Sequence, residues 1–170
     1  MKKILLSSIA LFLIVSTLYA DVLSDFKDAK AFYKARNYQQ AAQLFASAAS
    51  TDSIVQDFSL YYLANCYEKL NKTEQAVRWS EQLLSKYPGF PLIGSAKRRI
   101  SDDHFNNADW QYFTANSLWA KIMEFSSRSD WGRMQTGLMK YAELYPSANL
   151  TRINYYLGLA SLNVSRPQDA

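Results

Sequence analysis

The chain repeats a pattern of small and aromatic residues at an interval of 35 positions, and this repeat constrains the fold more than any other feature. The residues shared at this offset are Ala29 with Ala64, Phe32 with Tyr67, and Ala41 with Ala76. A period of 20–50 residues is typical of arrays in which each repeat is one small structural unit that stacks on the next. The sequence therefore predicts several similar units in a row.

The spacing inside each copy predicts two helices that pack closely against each other. A small residue precedes the aromatic residue by three positions, which places both on one helical face. Ala41 or Ala76 follows the aromatic residue by nine positions, one turn into the second helix, where we expect the two backbones to be closest. A larger side chain there would overpack the pair at a cost of roughly 1–3 kcal/mol. These alanines are therefore predicted to be buried.

A third, partial copy lies at the end of the sequence. Residues 155–158 match residues 61–64, and residues 167–170 match residues 73–76. Since Ala170 falls where the buried alanine of the second helix should be, we expect the last repeat to be truncated. We expect repeats at about 22–55 and 57–90, degenerate helices over 91–146, and a partial repeat over 147–170.

Local signals mark where the helices begin and end. Five glycines and four prolines in 170 residues favour helices over a sheet with many turns. In Tyr87-Pro88 and in Tyr145-Pro146, the proline precedes a leucine by four positions. A proline at such a point ends one helix just before the next begins. Ser53 and Gln56 have the spacing of a capping box for the helix that follows. We expect about eight helices and a truncated ninth.

The first twenty residues have the features of a bacterial signal peptide. Lys2 and Lys3 precede a short apolar core over residues 4–15, and small residues lead to Ala20, where we expect cleavage. We expect the mature protein, residues 21–170, in the periplasm or outside the cell, with no lipid anchor and no membrane span. Without Lys2 and Lys3, 17 basic and 15 acidic residues remain, a balance that argues against nucleic acid as a partner.

The repeated residues resemble the tetratricopeptide repeat (TPR) family. Its pattern is a small residue, an aromatic residue three later, an alanine nine after that, a second aromatic residue four further on, and a closing proline. The first copy has Phe45 as the second aromatic residue, and the second copy has Ser80 there and Pro88 as the closing proline. The resemblance implies an all-α fold, a right-handed α-α superhelix (a TPR-like solenoid).

The same resemblance implies a binding face. In such repeats the first helix of each pair lines a concave surface that holds an extended partner. Carried onto this chain, the implied binding residues are Phe26, Lys30, Tyr33, Lys34, Tyr61, Asn65, Glu68, Lys69, Arg152 and Tyr155. Their mixture of basic, aromatic and amide groups suits an extended peptide or a sugar-peptide polymer.

A second set of aromatic residues lies outside the clear repeats. The set is Phe105, Trp110, Tyr112, Phe113, Trp119 and Trp131. A core between helices is the favoured interpretation. Exposed aromatic side chains, which often anchor interfaces, are the alternative.

No residue pattern supports catalysis, a metal site or a cofactor. Glu124-Phe125-Ser126, followed by Gly137-Leu138-Met139, resembles the catalytic stretch of lytic transglycosylases, but its spacing and neighbours differ. Helix packing explains these residues better. Asp102-Asp103-His104 lacks the third convergent ligand that most metal sites need. Cys66 is the only cysteine, so no internal disulfide can form.

Two functions follow as hypotheses. The chain resembles the N-terminal superhelical domain of soluble lytic murein transglycosylases in three features: the two Tyr-Pro pairs between helices, the signal peptide, and the Tyr-Tyr-Leu-Gly stretch at 155–158. This resemblance implies a non-catalytic periplasmic scaffold that binds protein or peptidoglycan, with a catalytic domain in a longer protein. The alternative is a stand-alone cell-envelope adaptor, similar to the Tol-Pal cell-division coordinator or to repeat proteins of outer-membrane assembly.

Overall fold

A computed structural model describes residues 21–165. Every regular element in this part of the chain is helical, which confirms the predicted all-α class of TPR-like helical repeats. The elements are α1 (residues 21–34), α2 (Tyr38–Ser50), α3 (Gln56–Lys69), α4 (Thr73–Lys86), α5 (Ile93–Asn106), a 3-10 helix (Trp110–Tyr112), α6 (Ala115–Ser127), α7 (Trp131–Leu144) and α8 (Leu150–Val164). The proposed signal peptide and the truncated ninth helix lie outside the described residues.

The chain divides into two compact units between Asn107 and Ala108. In the described residues, unit 1 contains α1 to α5, and unit 2 contains the 3-10 helix and α6 to α8. Sequentially adjacent helices pack against each other within each unit, as α2 does on α3 and α7 on α8. No helix within residues 21–165 has the length and apolar character that crossing a bilayer requires.

Three hairpins share one turn geometry. The backbone N–H groups of Asn37, Lys72 and Asp130 each donate to the carbonyl oxygen five residues earlier, at 2.9 Å in all three cases. The residue before each donor has a left-handed backbone conformation, with φ of 60° at Arg36 and 57° at Asn71 and Ser129. These are the bonds of a Schellman motif, which satisfies carbonyl groups at the end of the first helix. The chain therefore reverses direction in the same way after α1, α3 and α6.

The repeated alanines lie in the core of unit 1, as the spacing predicts. Ala41 is 0% exposed and Ala76 is 1% exposed. Ala29 and Ala64, the small residues of the first helices, are buried as well. With no side chain beyond Cβ, these residues let the paired helices approach closely.

The α6–α7 hairpin of unit 2 is a third member of this series that the repeat pattern does not reveal. By the turn geometry, Phe125 corresponds to Phe32 and Tyr67, because its carbonyl accepts the same bond. The positions of the small residue and the alanine are then occupied by Ile122 and Met134, both fully buried. Larger side chains fill the interface here, so the same hairpin is built without the alanine signature.

The predicted capping box at Ser53 and Gln56 is wrong. Val55 precedes α3 as its N-cap, and no side chain caps the helix. The buried Gln56 side chain instead donates to the Ala49 carbonyl oxygen at 2.7 Å. Its Oε1 accepts from the Lys86 ammonium and, at 2.6 Å, from the Tyr87 hydroxyl. Gln56 therefore joins the ends of α2 and α4 to the start of α3, because tertiary hydrogen bonds replace the local cap.

The two Tyr-Pro pairs have a common role at the end of a hairpin. The hydroxyl of Tyr87 reaches back to Gln56 at the start of α3. In unit 2, the hydroxyl of Tyr145 donates at 3.4 Å to the carbonyl oxygen of Phe113, just before α6. In each hairpin the tyrosine that follows the second helix therefore ties it to the beginning of the first.

Candidate binding faces

Four of the predicted binding residues of α1 and α3 lie around one half-buried tyrosine of unit 1, Tyr62. Its ring stacks on Phe45 with centroids 5.2 Å apart and meets Tyr33 edge to face, also at 5.2 Å. Tyr61 and Phe26 flank it at 5.2 and 6.4 Å. Edge-to-face and offset-stacked rings contribute about 0.5–1.5 kcal/mol per pair beyond the area they bury. The aromatic face of unit 1 is therefore a packed surface that does not depend on a ligand for its shape.

Lys30 supplies the charge at the centre of this face. Its ammonium lies 5.4 Å from the ring centroid of Tyr62 and 5.9 Å from that of Phe26, within the range of a cation–π interaction. Within residues 21–165, no carboxylate pairs with Lys30. The half-buried Lys30 is thus held by rings and keeps its positive charge available to a partner.

Burial under this face raises the pKa of two side chains, Tyr33 and Cys66. Burial raises the pKa of the Tyr33 phenol, and the neighbouring Cys66 thiol and tyrosines act in the same direction. Burial also raises the pKa of the Cys66 thiol to about 12. Cys66 is fully buried on α3 and therefore stays a neutral thiol at physiological pH.

Two of the predicted binding residues already bind another helix. Arg99 of α5, only 7% exposed, donates to Asn65 Oδ1 at 2.7 Å and to Glu68 Oε2 at 2.6 Å. Its other terminal nitrogen donates at 2.6 Å to the Ser80 hydroxyl, which itself donates to the Ala76 carbonyl oxygen. The contact explains why a serine replaces the aromatic residue at position 80: an arginine is buried there and needs an acceptor.

The four remaining predicted residues are all exposed. Lys34 and Lys69 are exposed at the ends of α1 and α3. Arg152 and Tyr155 lie on α8 in unit 2 and are both exposed, Tyr155 by 67%. Their binding role stays a prediction.

Unit 2 has its own aromatic cluster, centred on Trp119 of α6. The indole meets Tyr141 of α7 at 5.2 Å and Tyr156 of α8 at 5.8 Å, both edge to face. The Arg152 guanidinium lies over the indole, 4.5 Å from its centroid. As in unit 1, the second tyrosine of a Tyr-Tyr pair packs against the cluster; in unit 2 the first, Tyr155, is exposed.

The aromatic residues between 105 and 131 divide between core and surface. Phe105 and Phe113 are buried, Tyr112 is 46% exposed, and the tryptophans at 110, 119 and 131 are half-buried. Neither interpretation from sequence therefore describes the whole set.

Glu124 takes part in two ion pairs, one within α6 and one with Arg128 just after it. Its carboxylate accepts from Lys121 at 3.0 Å and from Arg128 at 3.1 Å. These contacts give Glu124 a structural role in unit 2. No group of three His, Cys, Asp or Glu side chains within residues 21–165 is placed to hold a metal ion.

A tetratricopeptide repeat family model matches residues 32–100, which span α2, α3 and α4 with parts of their neighbours. No curated protein matches the chain. The family match, together with the repeated helical hairpins, supports a TPR protein. Such repeats are protein-interaction scaffolds, so a protein partner is the expected ligand class.

Arg99 and Tyr62 are the residues that sequence reasoning misses on this face. The Tyr-Tyr pairs at 61–62 and 155–156 are a usable signal for Tyr62, because the same pair recurs in the partial repeat. No sequence signal marks Arg99, since its partners lie 19 to 34 positions away.

Proposed function

We propose that this chain is a non-catalytic scaffold of the bacterial cell envelope that holds an extended segment of a partner protein on the aromatic face of unit 1. The single observation that carries the proposal is Lys30, held between Phe26 and Tyr62 without a carboxylate partner among the described residues. A preformed aromatic surface with one available cation favours a peptide that presents apolar and acidic side chains.

A crosslinking experiment in cells tests this face. A photoreactive amino acid replaces the exposed Lys69, which lies seven positions after Tyr62 and so on the same side of α3, or the exposed Gln82 of α4 as the control position. We expect discrete protein adducts from position 69 and none from position 82, because only the first lies by the face. Lys30→Gln should reduce the adducts, and the matched Lys97→Gln on α5 should not. Equal adducts from both positions, or no effect of Lys30→Gln, would contradict the proposal.

The cellular location is part of the proposal and rests on residues 1–20. Their basic N-terminal residues, apolar core and small residues before the expected cleavage site support export to the periplasm. Fractionation of cells that express the full chain with a C-terminal tag tests it. We expect a product shortened by about the first twenty residues in the periplasmic fraction, whereas an unshortened product in the cytosol would refute export.

The narrower hypothesis is that the scaffold is the N-terminal part of a soluble lytic transglycosylase that acts on cell-wall glycan. The sequence resemblance at the two Tyr-Pro pairs and at residues 155–158 supports it. Sedimentation with purified sacculi separates it from a stand-alone envelope adaptor. Co-sedimentation that free glycan strands compete away favours the cell-wall hypothesis, and a protein adduct without sacculus binding favours the adaptor.

A further inference from the structure

A small cleft opens beside the Trp119 cluster within unit 2. It is lined by Asn116 and Trp119 of α6, Tyr141 of α7, and Ala148, Asn149, Arg152 and Ile153 at and before the start of α8. The cleft encloses about 190 Å³, well below the roughly 300–1,000 Å³ of pockets for drug-sized ligands. It therefore has room for one side chain or one chain end.

Arg152 is the only charged residue that lines the cleft. Its guanidinium carbon lies 4.5 Å from the centroid of the Trp119 ring, within the range of a cation–π interaction. Among the described residues, no carboxylate pairs with this guanidinium, and no hydrogen bond engages its nitrogen atoms. The contact with the indole holds the guanidinium in the cleft, and its N–H groups are left for a ligand.

The other groups of the cleft are neutral. Asn116 contributes an amide, while the side-chain Oδ1 of Asn149 already accepts from the backbone N–H of Arg152 at 3.1 Å. Tyr141, Trp119 and Ile153 give apolar walls. A single planar cation in such surroundings matches a monovalent carboxylate, which the arginine fork can bind through two parallel hydrogen bonds.

We propose that this cleft binds one carboxylate of an acidic peptide, with Arg152 as the binding residue and Trp119 as the residue that positions it. The carboxylate comes from a Glu or Asp side chain or from the C-terminus of the partner. The inference goes beyond the proposed function, because it concerns unit 2 alone and specifies the recognised group. It does not depend on the periplasmic location or on binding at Lys30.

The indole N–H signal of Trp119 reports on the cleft. The chain has four tryptophans, so the spectrum of Trp119→Phe in ¹⁵N-labelled protein identifies this signal. Three synthetic peptides are titrated: acetyl-Ala-Ala-Tyr-Glu-Ala-amide, acetyl-Ala-Ala-Tyr-Ala with a free C-terminal carboxylate, and the neutral acetyl-Ala-Ala-Tyr-Gln-Ala-amide. The first two separate the side chain from the chain end as the source, and inorganic phosphate is titrated in parallel.

We expect a saturable shift of the Trp119 signal with at least one carboxylate peptide and at least about tenfold weaker binding of the neutral peptide, since hydrogen bonds between charged groups are the strong ones. Arg152→Gln should remove this preference, and Arg152→Lys should weaken it, because lysine keeps the charge without the planar fork. The matched control Arg98→Gln removes one exposed charge from α5 in unit 1 and should leave binding unchanged.

Several results would overturn the inference. Equal binding of the neutral peptide would mean that the aromatic walls alone recognise the ligand. Equal loss in Arg98→Gln would mean a general effect of charge. Phosphate binding as tight as that of the peptides would assign the cleft to another ligand. The site would also be rejected if no peptide caused a saturable shift of the Trp119 signal in either the wild type or the Arg152→Gln protein.

Discussion

The Arg99–Glu68 contact allows a test of how a buried cation is stabilised in unit 1. Arg99 is 7% exposed, and its Nε has no hydrogen-bond partner in the described residues. The Glu68 side chain is 48% exposed. The two charges are therefore not equivalent: loss of the acid leaves a buried cation without its counter-charge, whereas loss of the cation leaves an acid that water can solvate.

The magnitudes follow from this asymmetry. A hydrogen bond between charged groups is worth about 1.5–3 kcal/mol, and the exposure of Glu68 reduces this through solvent screening. We expect Glu68→Ala to lower the free energy of unfolding by about 1–2 kcal/mol. We expect Arg99→Met to cost only about 0–1 kcal/mol, because a side chain of similar length replaces a charge that is costly to bury. The double variant should resemble Arg99→Met, which gives a coupling energy of about 1–2 kcal/mol in magnitude, equal to the cost of Glu68→Ala alone.

Urea denaturation followed by circular dichroism measures all three variants, and thermal scans should show a shift of about 2–4 °C per kcal/mol for a chain of this size. Arg98→Met is the matched control, because Arg98 is the exposed neighbour of Arg99 on α5. It should stay within about 0.5 kcal/mol of wild type. A coupling energy indistinguishable from zero, or an Arg99→Met variant as unstable as Glu68→Ala, would refute the reasoning.

Three further variants test the packing of unit 1. Ala76→Leu should cost roughly 1–3 kcal/mol by overpacking, while the exposed Ala120→Leu should not, and equal melting curves would mean that the repeat register is wrong. Gln56→Ala should cost roughly 1–3 kcal/mol in urea denaturation, because the buried Ala49 carbonyl loses its donor; an unchanged midpoint would show that water replaces the amide. Because the pKa of Cys66 is raised to about 12, its contribution to stability is full below its ordinary value near 9 and is lost as the pH rises toward 12. The free energy of unfolding should fall over that range less steeply in Cys66→Ala than in wild type, and a thiol reagent should react with Cys66 only in urea; rapid reaction in buffer would contradict this.

The sequence predicts the buried alanines and the helical class, because both follow from regular spacing along the chain. Ala29, Ala41, Ala64 and Ala76 recur every 35 residues, and all four are buried. Helical spacing also predicts the all-α class in stretches where the repeats are degenerate. The α6–α7 hairpin escapes the repeat pattern because Ile122 and Met134 fill its interface in place of small residues. Its turn matches those of the other two hairpins in its backbone hydrogen bonds, and a pattern of side chains does not reveal such bonds.

By itself, the sequence determined that helices pair through small residues at fixed intervals, because close approach of two backbones restricts side-chain size at those points. Only the tertiary structure decided which hydrogen-bond partners the polar side chains have. Gln56 has the spacing of a local cap but bonds across three helices, and Asn65 and Glu68 lie at binding positions but hold Arg99. A polar group takes the partner that the fold brings within hydrogen-bond distance, and that distance does not depend on separation along the chain.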